Sequence, residues 1–326
     1  MPKDITHWII AEQTAARLAG TALGEAARAC PNALKMGAVF PDMPLYLTGQ
    51  SEPARTAEQT GHEYHGTQGS DTYDLLRAIL SAALRTNDPA IHALLTGVAC
   101  HLQTDITFHP LVFHMTGNYH HPEPKKRSLA VRGHRRFEVL LDLHFCELLN
   151  RKPRNYQAAA FWKNLESKDP LFWTRHDPAT PQRYPMLVQA IKKYLRVQRL
   201  FTNPAASRLA GAFHPWLPGA WKEMTGLFYW SASASCRARF HAKWNYLHPV
   251  TGTSHTESLH DLLERAVAAS ASLCSRLEVA IVQKDESLFT DRGPSLDYGL
   301  VDGDGSNAKF FAEPSLFDNP PCDKEA

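Results

Sequence analysis

The stretch His101-Leu102-Gln103-Thr104-Asp105-Ile106-Thr107-Phe108-His109 sets an imidazole, a carboxylate and an imidazole at i, i+4 and i+8. On an α-helix this spacing stacks the three side chains along one face, with neighbouring Cβ atoms ~5–6 Å apart. Leu94, Leu95, Val98, Ala99, Leu102 and Ile106 around them are the residues of a core helix. Polar groups on such a helix are costly to bury unless they are paired or bind a metal. A helix from Ala90 to about Phe108 is therefore expected to carry a row of candidate ligands, with Pro110 setting His109 at a helix end or kink.

Downstream, His134-Arg135-Arg136-Phe137-Glu138 repeats the i, i+4 pairing of imidazole and carboxylate on a helix expected from His134 to about Asn150. Zn²⁺ accepts both donor types at ~2.0–2.2 Å. Two such helices facing one another can build a dinuclear or larger site, as helix bundles do. Histidine supply fits this reading, because eleven of the 17 histidines fall between His7 and His144.

The rest of the chain reads as helices joined by turns. Strong helix formers run from Thr6 to Ala29, followed by a Pro- and Gly-rich turn region, Cys30 to Tyr46, and a polar loop, Thr48 to Gly69. Asp71 is the candidate cap of a helix over Thr72–Arg85, and His114 to Gly133 reads as a loop. In the second half, Lys168–Pro185 reads as loop and Met186–Phe201 as a basic amphipathic helix. Phe213–Gly219 and Trp244–Gly252 read as connections, and Ser254/Glu257 as a capping box before a helix over Ser258–Gln283. No repeat, phosphate-cradling glycine loop or series of β-branched strands is present in the sequence, so the fold is expected to be all-α. Residues 1–285 form one helical domain in this reading, and 286–326 an irregular, frayed tail.

Composition narrows the functional classes. A hydrophobic share of 44% and a charged share of 21% describe a globular chain. A net charge of +2 marks neither a stable nucleic-acid partner nor a membrane surface as target. No run reaches the ~18 uninterrupted apolar residues of a membrane span, and the start lacks the apolar core of a secretory signal. The six cysteines show no CxxC spacing, so a reducing cytoplasm is the expected location. Lys125, Lys126, Arg127, Arg132, Arg135 and Arg136 surround the second motif and read first as a solvated face, second as an attractor of anions. Asp142 continues the His134/Glu138 face as a candidate acceptor for a ligand histidine. His114, His120 and His121 read first as exposed loop histidines, second as an extension of the metal site; His144 reads as packing or surface, and the isolated His176-Asp177 and His260-Asp261 pairs as helix caps or surface rather than HD-type metal sites. Trp216, Trp221, Trp230 and Trp244 read first as core aromatics, second as the lining of a lipid or aromatic pocket.

Five motifs in order resemble the bacterial zinc-dependent phospholipase C family, whose fold is all-helical and related to the trinuclear zinc nucleases. They are Thr6-His7-Trp8-Ile9-Ile10-Ala11, Gly37-Ala38-Val39-Phe40-Pro41-Asp42, His65-Gly66-Thr67, the His101/Asp105/His109 row with Pro110, and His134/Glu138. The resemblance covers roughly residues 4–150 and touches the second half only through Trp244–Gly252. It implies two or three zinc ions and hydrolysis of a phosphodiester or phospholipid-like substrate by activated water. One zinc would lie between Asp42, His65, His101 and Asp105, and a second between His109, His134 and Glu138. A third would take His7 and a bridging Asp105; in the secreted relatives an N-terminal tryptophan completes that set, and no tryptophan precedes His7. His62 is the alternative to His65, with Gly66-Thr67 favouring the latter. Asp42 is the candidate to take the proton of the attacking water. The competing readings are a helical scaffold stapled by metal and an interaction protein binding metal opportunistically.

Overall fold

Helix α6, Pro89–Thr116, is the axis of the molecule and is buried along nearly its whole length of 28 residues. The computed structural model describes residues 3–166, 171–175, 183–301 and 307–312. Ahead of α6 come α1 (Asp4–Arg17), α2 (Ala22–Ala29), α3 (Pro31–Gly37), α4 (Glu52–Tyr64) and α5 (Tyr73–Thr86). After it come α7 (Pro124–Leu148), α8 (Ala158–Lys163), α9 (Arg183–Phe201), α10 (Pro204–Phe213), α11 (Gly219–Thr225) and α12 (Ala234–His241). A short antiparallel hairpin, β1 (Trp244–Leu247) with β2 (Ser254–Glu257), then leads into the long α13 (Leu259–Gln283). The fold is all-helical apart from that hairpin. Helices α1, α2, α3, α5, α7 and α13 all pack on α6.

The closest approach to α6 is made by α3. A Cβ placed on Gly97 would lie 2.2 Å from the Leu34 carbonyl oxygen, and one on Gly37 would lie 2.2 Å from that of Leu94. Only paired glycines let the two backbones meet this closely. The contact sets the segment after α3 directly over His101.

Several boundaries differ from the sequence reading, each for a physical reason. The expected Thr6–Ala29 helix is two helices, because Thr21 caps a new one by accepting a hydrogen bond from Gly24 N. Cys30–Tyr46 holds α3 and a 3₁₀ segment, Phe40–Tyr46. The expected loop Thr48–Gly69 contains α4, capped by Ser51 with Pro53 in its first turn. Its buried face is Ala54, Ala57, Thr60, Gly61 and Tyr64, small residues that leave little apolar signature. Helix α6 continues through Pro110 to Thr116, and α7 begins at Pro124 inside the expected loop. The capping box lies at Ser258/Asp261, while Ser254–Glu257 is strand β2. Most of the expected Lys168–Pro185 loop, with His176-Asp177, lies outside the described residues; Pro185 falls within α9.

Helix α13 is the one described helix long and apolar enough by composition to cross a membrane. Its Leu262, Ala266, Ser270, Leu273, Cys274 and Leu277 are buried, and the helix packs on α6 and α1. Among the described residues after α13, a 3₁₀ turn, Glu286–Leu288, is followed by irregular chain that packs on the core. Phe289, Leu296 and Tyr298 are buried, and Gly293 N donates to Asp71 Oδ1 at 2.7 Å. This closing segment, 286–300, crosses the C-terminal half of α6.

Candidate metal centre

Five elements deliver eight acid and imidazole groups to one buried region. His7 comes from α1, Asp42 from the 3₁₀ segment after α3, and His65 from the residue capping α4. His101, Asp105 and His109 come from successive turns of α6, and His134 with Glu138 from α7. All eight are buried, His7, His101 and Asp105 completely.

Two sets have ligand-type atoms lying within 4.8 Å of one another: Asp42, His65, His101 and Asp105, and separately His109, His134 and Glu138. Asp105 stands between them. Its Oδ2 lies 3.3 Å from His101 Nε2 and 3.9 Å from His65 Nε2, while its Oδ1 lies 3.4 Å from His7 Nε2 and 3.8 Å from His109 Nε2. Glu138 Oε1 lies 2.9 Å from His134 Nε2 and 4.0 Å from His109 Nε2. The rings of His7 and His101 stack at 4.3 Å.

Backbone carbonyls fix the tautomers. Nδ1 of His65 donates to Gly61 O at 2.6 Å, that of His101 to Ala38 O at 2.9 Å, and that of His109 to Leu296 O at 2.8 Å. A carbonyl can only accept, so each Nδ1 carries a proton, and each ring in its neutral form would present the Nε2 lone pair to the centre. Nε2 of His65 and of His101 face the oxygens of Asp42 and Asp105, contacts that call for positive charge between them, either a second proton on the ring or a metal cation. Nε2 of His101 and of His109 and both Asp105 oxygens are buried without a hydrogen-bond partner. The donor set of imidazole nitrogen and carboxylate oxygen suits Zn²⁺. These residues fit the metal.

Electrostatics agree with that requirement. Burial opposes a charge on His101, yet the Asp105 and Asp42 carboxylates outweigh it and hold its pKa up at about 9. Burial pushes Asp105 up, against the pull of His101. Burial likewise holds His109 and His134 well below the usual histidine range, so both rings are neutral donors near neutral pH. One half of the region calls for positive charge and the other supplies lone pairs.

The remaining candidates separate cleanly. His62 is exposed and lies 4.0 Å from Glu58, whereas His65 is buried 3.0 Å from Asp42. Gly66 holds a left-handed φ of 73° after His65, a conformation that favours glycine. Asp142 does not reach a histidine. Its oxygens accept from Ile5 N, Thr6 N, Thr6 Oγ1 and Tyr229 OH at 2.5–3.1 Å, capping α1 from across the fold. Burial lifts its pKa to about 7 against those donors. His114 donates to Phe310 O, His120 faces Asp297, and His144 packs on Phe145 and Phe240. Arg136 lies over the Trp230 ring and Arg135 lies 3.9 Å from Glu223. Trp244 is core, but Trp216 and Trp221 are exposed, contrary to the expected core role. Sequence reasoning missed the Leu296 carbonyl, which has no side-chain signature.

Fold and site together define an all-helical protein with a buried candidate metal centre between its core helices. A family model for zinc dependent phospholipase C matches residues 6–177. That span is more than half of the chain's 326 residues, and the chain belongs to this family. No curated protein and no solved structure matches the chain.

Proposed function

We propose that the protein is a zinc-dependent phosphodiester hydrolase of the phospholipase C type, acting on a phospholipid-like phosphodiester. The observation that carries this reading is the convergence of buried, unpartnered lone pairs on both sides of Asp105. In this reading Asp42, His65, His101 and Asp105 hold one zinc, and His109, His134 and Glu138 a second. His7, with Asp105 as bridge, is positioned for a third. Bound zinc would lower the pKa of water, polarise the phosphoryl oxygens and stabilise the leaving alkoxide.

The chain's own groups do the rest. Carbonyls of Gly61, Ala38 and Leu296 hold the three Nδ1 protons, which fixes the rings and aims each Nε2 inward, where a bound metal would take the place of a second proton. Asp42 takes the proton of the attacking water as the new P–O bond forms; the leaving alkoxide acquires a proton from solvent as the old bond breaks. Complete burial of His7, His101 and Asp105 favours a second reading, a scaffold stapled by fully ligated metal. Elemental analysis of the native protein, paired with hydrolysis of a bis-aryl phosphate before and after chelation, separates the two. Two or more zinc ions per chain with chelator-sensitive hydrolysis supports the hydrolase. A metal-loaded chain inert on every phosphodiester supports the scaffold.

A further inference from the structure

The net charge of +2 conceals a strongly asymmetric segment. From Arg183 to Lys222 the chain carries seven basic residues (Arg183, Lys192, Lys193, Arg196, Arg199, Arg208, Lys222) and no aspartate or glutamate. On α9, Lys192, Lys193, Arg196 and Arg199 are exposed, while Leu187, Ile191 and Tyr194 turn into the core. The next acid, Glu223, turns inward, accepting from Ser128 Oγ and lying 3.9 Å from Arg135.

Exposed apolar side chains concentrate in the same stretch of chain. Leu200, Leu209, Phe213, Trp216, Trp221 and Met224 are 40–77% exposed. The two chemistries alternate: Arg199 precedes Leu200, Arg208 precedes Leu209, and Lys222 follows Trp221. Leu209 and Phe213 are one turn apart on α10, and the Phe213 and Trp216 rings meet edge-on at 6.4 Å.

This surface is built rather than loose. The Trp230 ring lies 3.2 Å from where a Cβ on Gly211 would sit, and its Nε1 donates to Thr225 O at 3.1 Å. Arg136, from the helix carrying His134 and Glu138, covers the same ring at 3.6 Å. Ser207 Oγ donates to Phe201 O, fixing the turn between α9 and α10.

Exposed tryptophan, phenylalanine and leucine interleaved with cations suit the interface of a bilayer. Indole rings settle at headgroup depth, leucines reach the acyl boundary, and Arg and Lys stems lie along the apolar zone with their charges at anionic headgroups. We propose that the surface of α9, α10 and α11 docks the protein onto an anionic phospholipid bilayer. The proposal rests on exposure and charge, and stands apart from the hydrolytic reading.

The test is flotation of the metal-loaded protein with vesicles of phosphatidylcholine alone, or with added phosphatidylserine, read together with tryptophan emission. The expected result is co-flotation with anionic vesicles and a blue shift, with association roughly tenfold weaker for neutral vesicles or at raised ionic strength. Trp216→Ser combined with Trp221→Ser should weaken association roughly tenfold or more, with the thermal melt and zinc count unchanged. Arg196→Gln with Arg199→Gln should remove the preference for anionic lipid. Absence of vesicle binding overturns the proposal, as does equal binding by the double tryptophan variant. A concentration-dependent dimer that the tryptophan variant abolishes, without vesicle binding, assigns the patch to a second copy instead. Flotation needs no turnover, so an inert protein on soluble phosphodiesters bears only on the hydrolytic reading.

Discussion

Asp105 faces imidazoles on both sides, and its two oxygens divide between them. Asp105→Asn keeps the shape but removes the charge, and an amide is a poor bridge between cations. The variant should lose more than one zinc per chain by elemental analysis and should lose hydrolysis, with its helical circular dichroism retained. His134→Ala, on the far side of Glu138, should lose about one equivalent. A second residue-scale prediction concerns pH. Burial against Phe145 and Phe240, with His241 beside it, depresses the His144 pKa from 6.5 to about 4. The unfolded chain therefore binds the extra proton first. Stability from this group is complete above the unfolded value and drains away as pH falls from 6.5 toward 4. The loss should reach up to about 3 kcal/mol in denaturant titrations. His144→Gln should flatten the curve, and the difference from wild type isolates this residue from the acid loss of metal. Both i, i+4 pairs were legible in the sequence because helical spacing alone aligns them. Asp142 was misread because helical phase put it beside His134 and Glu138, whereas its partners are Ile5 and Thr6 on α1, 136 residues away for Thr6, and Tyr229.

At the scale of elements, the α3–α6 crossing couples packing to the centre. Gly97→Ala would press a methyl group against the Leu34 carbonyl and Ala38 N, so α3 must lift from α6. Ala38 also supplies the carbonyl that orients His101. We expect a loss of about 1–3 kcal/mol in unfolding free energy and a parallel drop in zinc retention. A Gly97→Ala protein that is destabilised yet holds its zinc as tightly as wild type would disconnect the two. Long apolar elements such as α6 and α13 were readable from periodicity. Helix α4 was not, because its buried stripe is alanine, threonine and glycine. Ser254 and Glu257 match the spacing of a capping box, but pairing with β1 claims them, and Ser258/Asp261 caps α13 instead. Local chemistry allowed both arrangements; the tertiary partner chose. Pro110 removes one helical hydrogen bond, but burial on many sides carries α6 past it.

At the scale of the molecule, the eight clustered acids and imidazoles lie within residues 7–138, while the carbonyl orienting His109 comes from Leu296. Contacts at this sequence separation leave no trace in composition or periodicity, which is why residues beyond Lys284 read as tail. Ending the chain after Asp285 should leave α6 and α7 folded but unseat the His109 ring and expose the seats of Phe289 and Leu296. Zinc should then pass to a chelator about tenfold faster or more, since the groups that orient ligands govern affinity on that scale. A stopped-flow transfer experiment on full-length and shortened chains checks this. The same closing segment has a consequence in time. A ribosome finishes the imidazoles and carboxylates long before it reaches Leu296, and N-terminal units begin folding during synthesis. Among the described groups around the centre, the Leu296 carbonyl is thus the last to be synthesised, and the His109 ring gains its orienting partner only after every imidazole and carboxylate of the cluster is made.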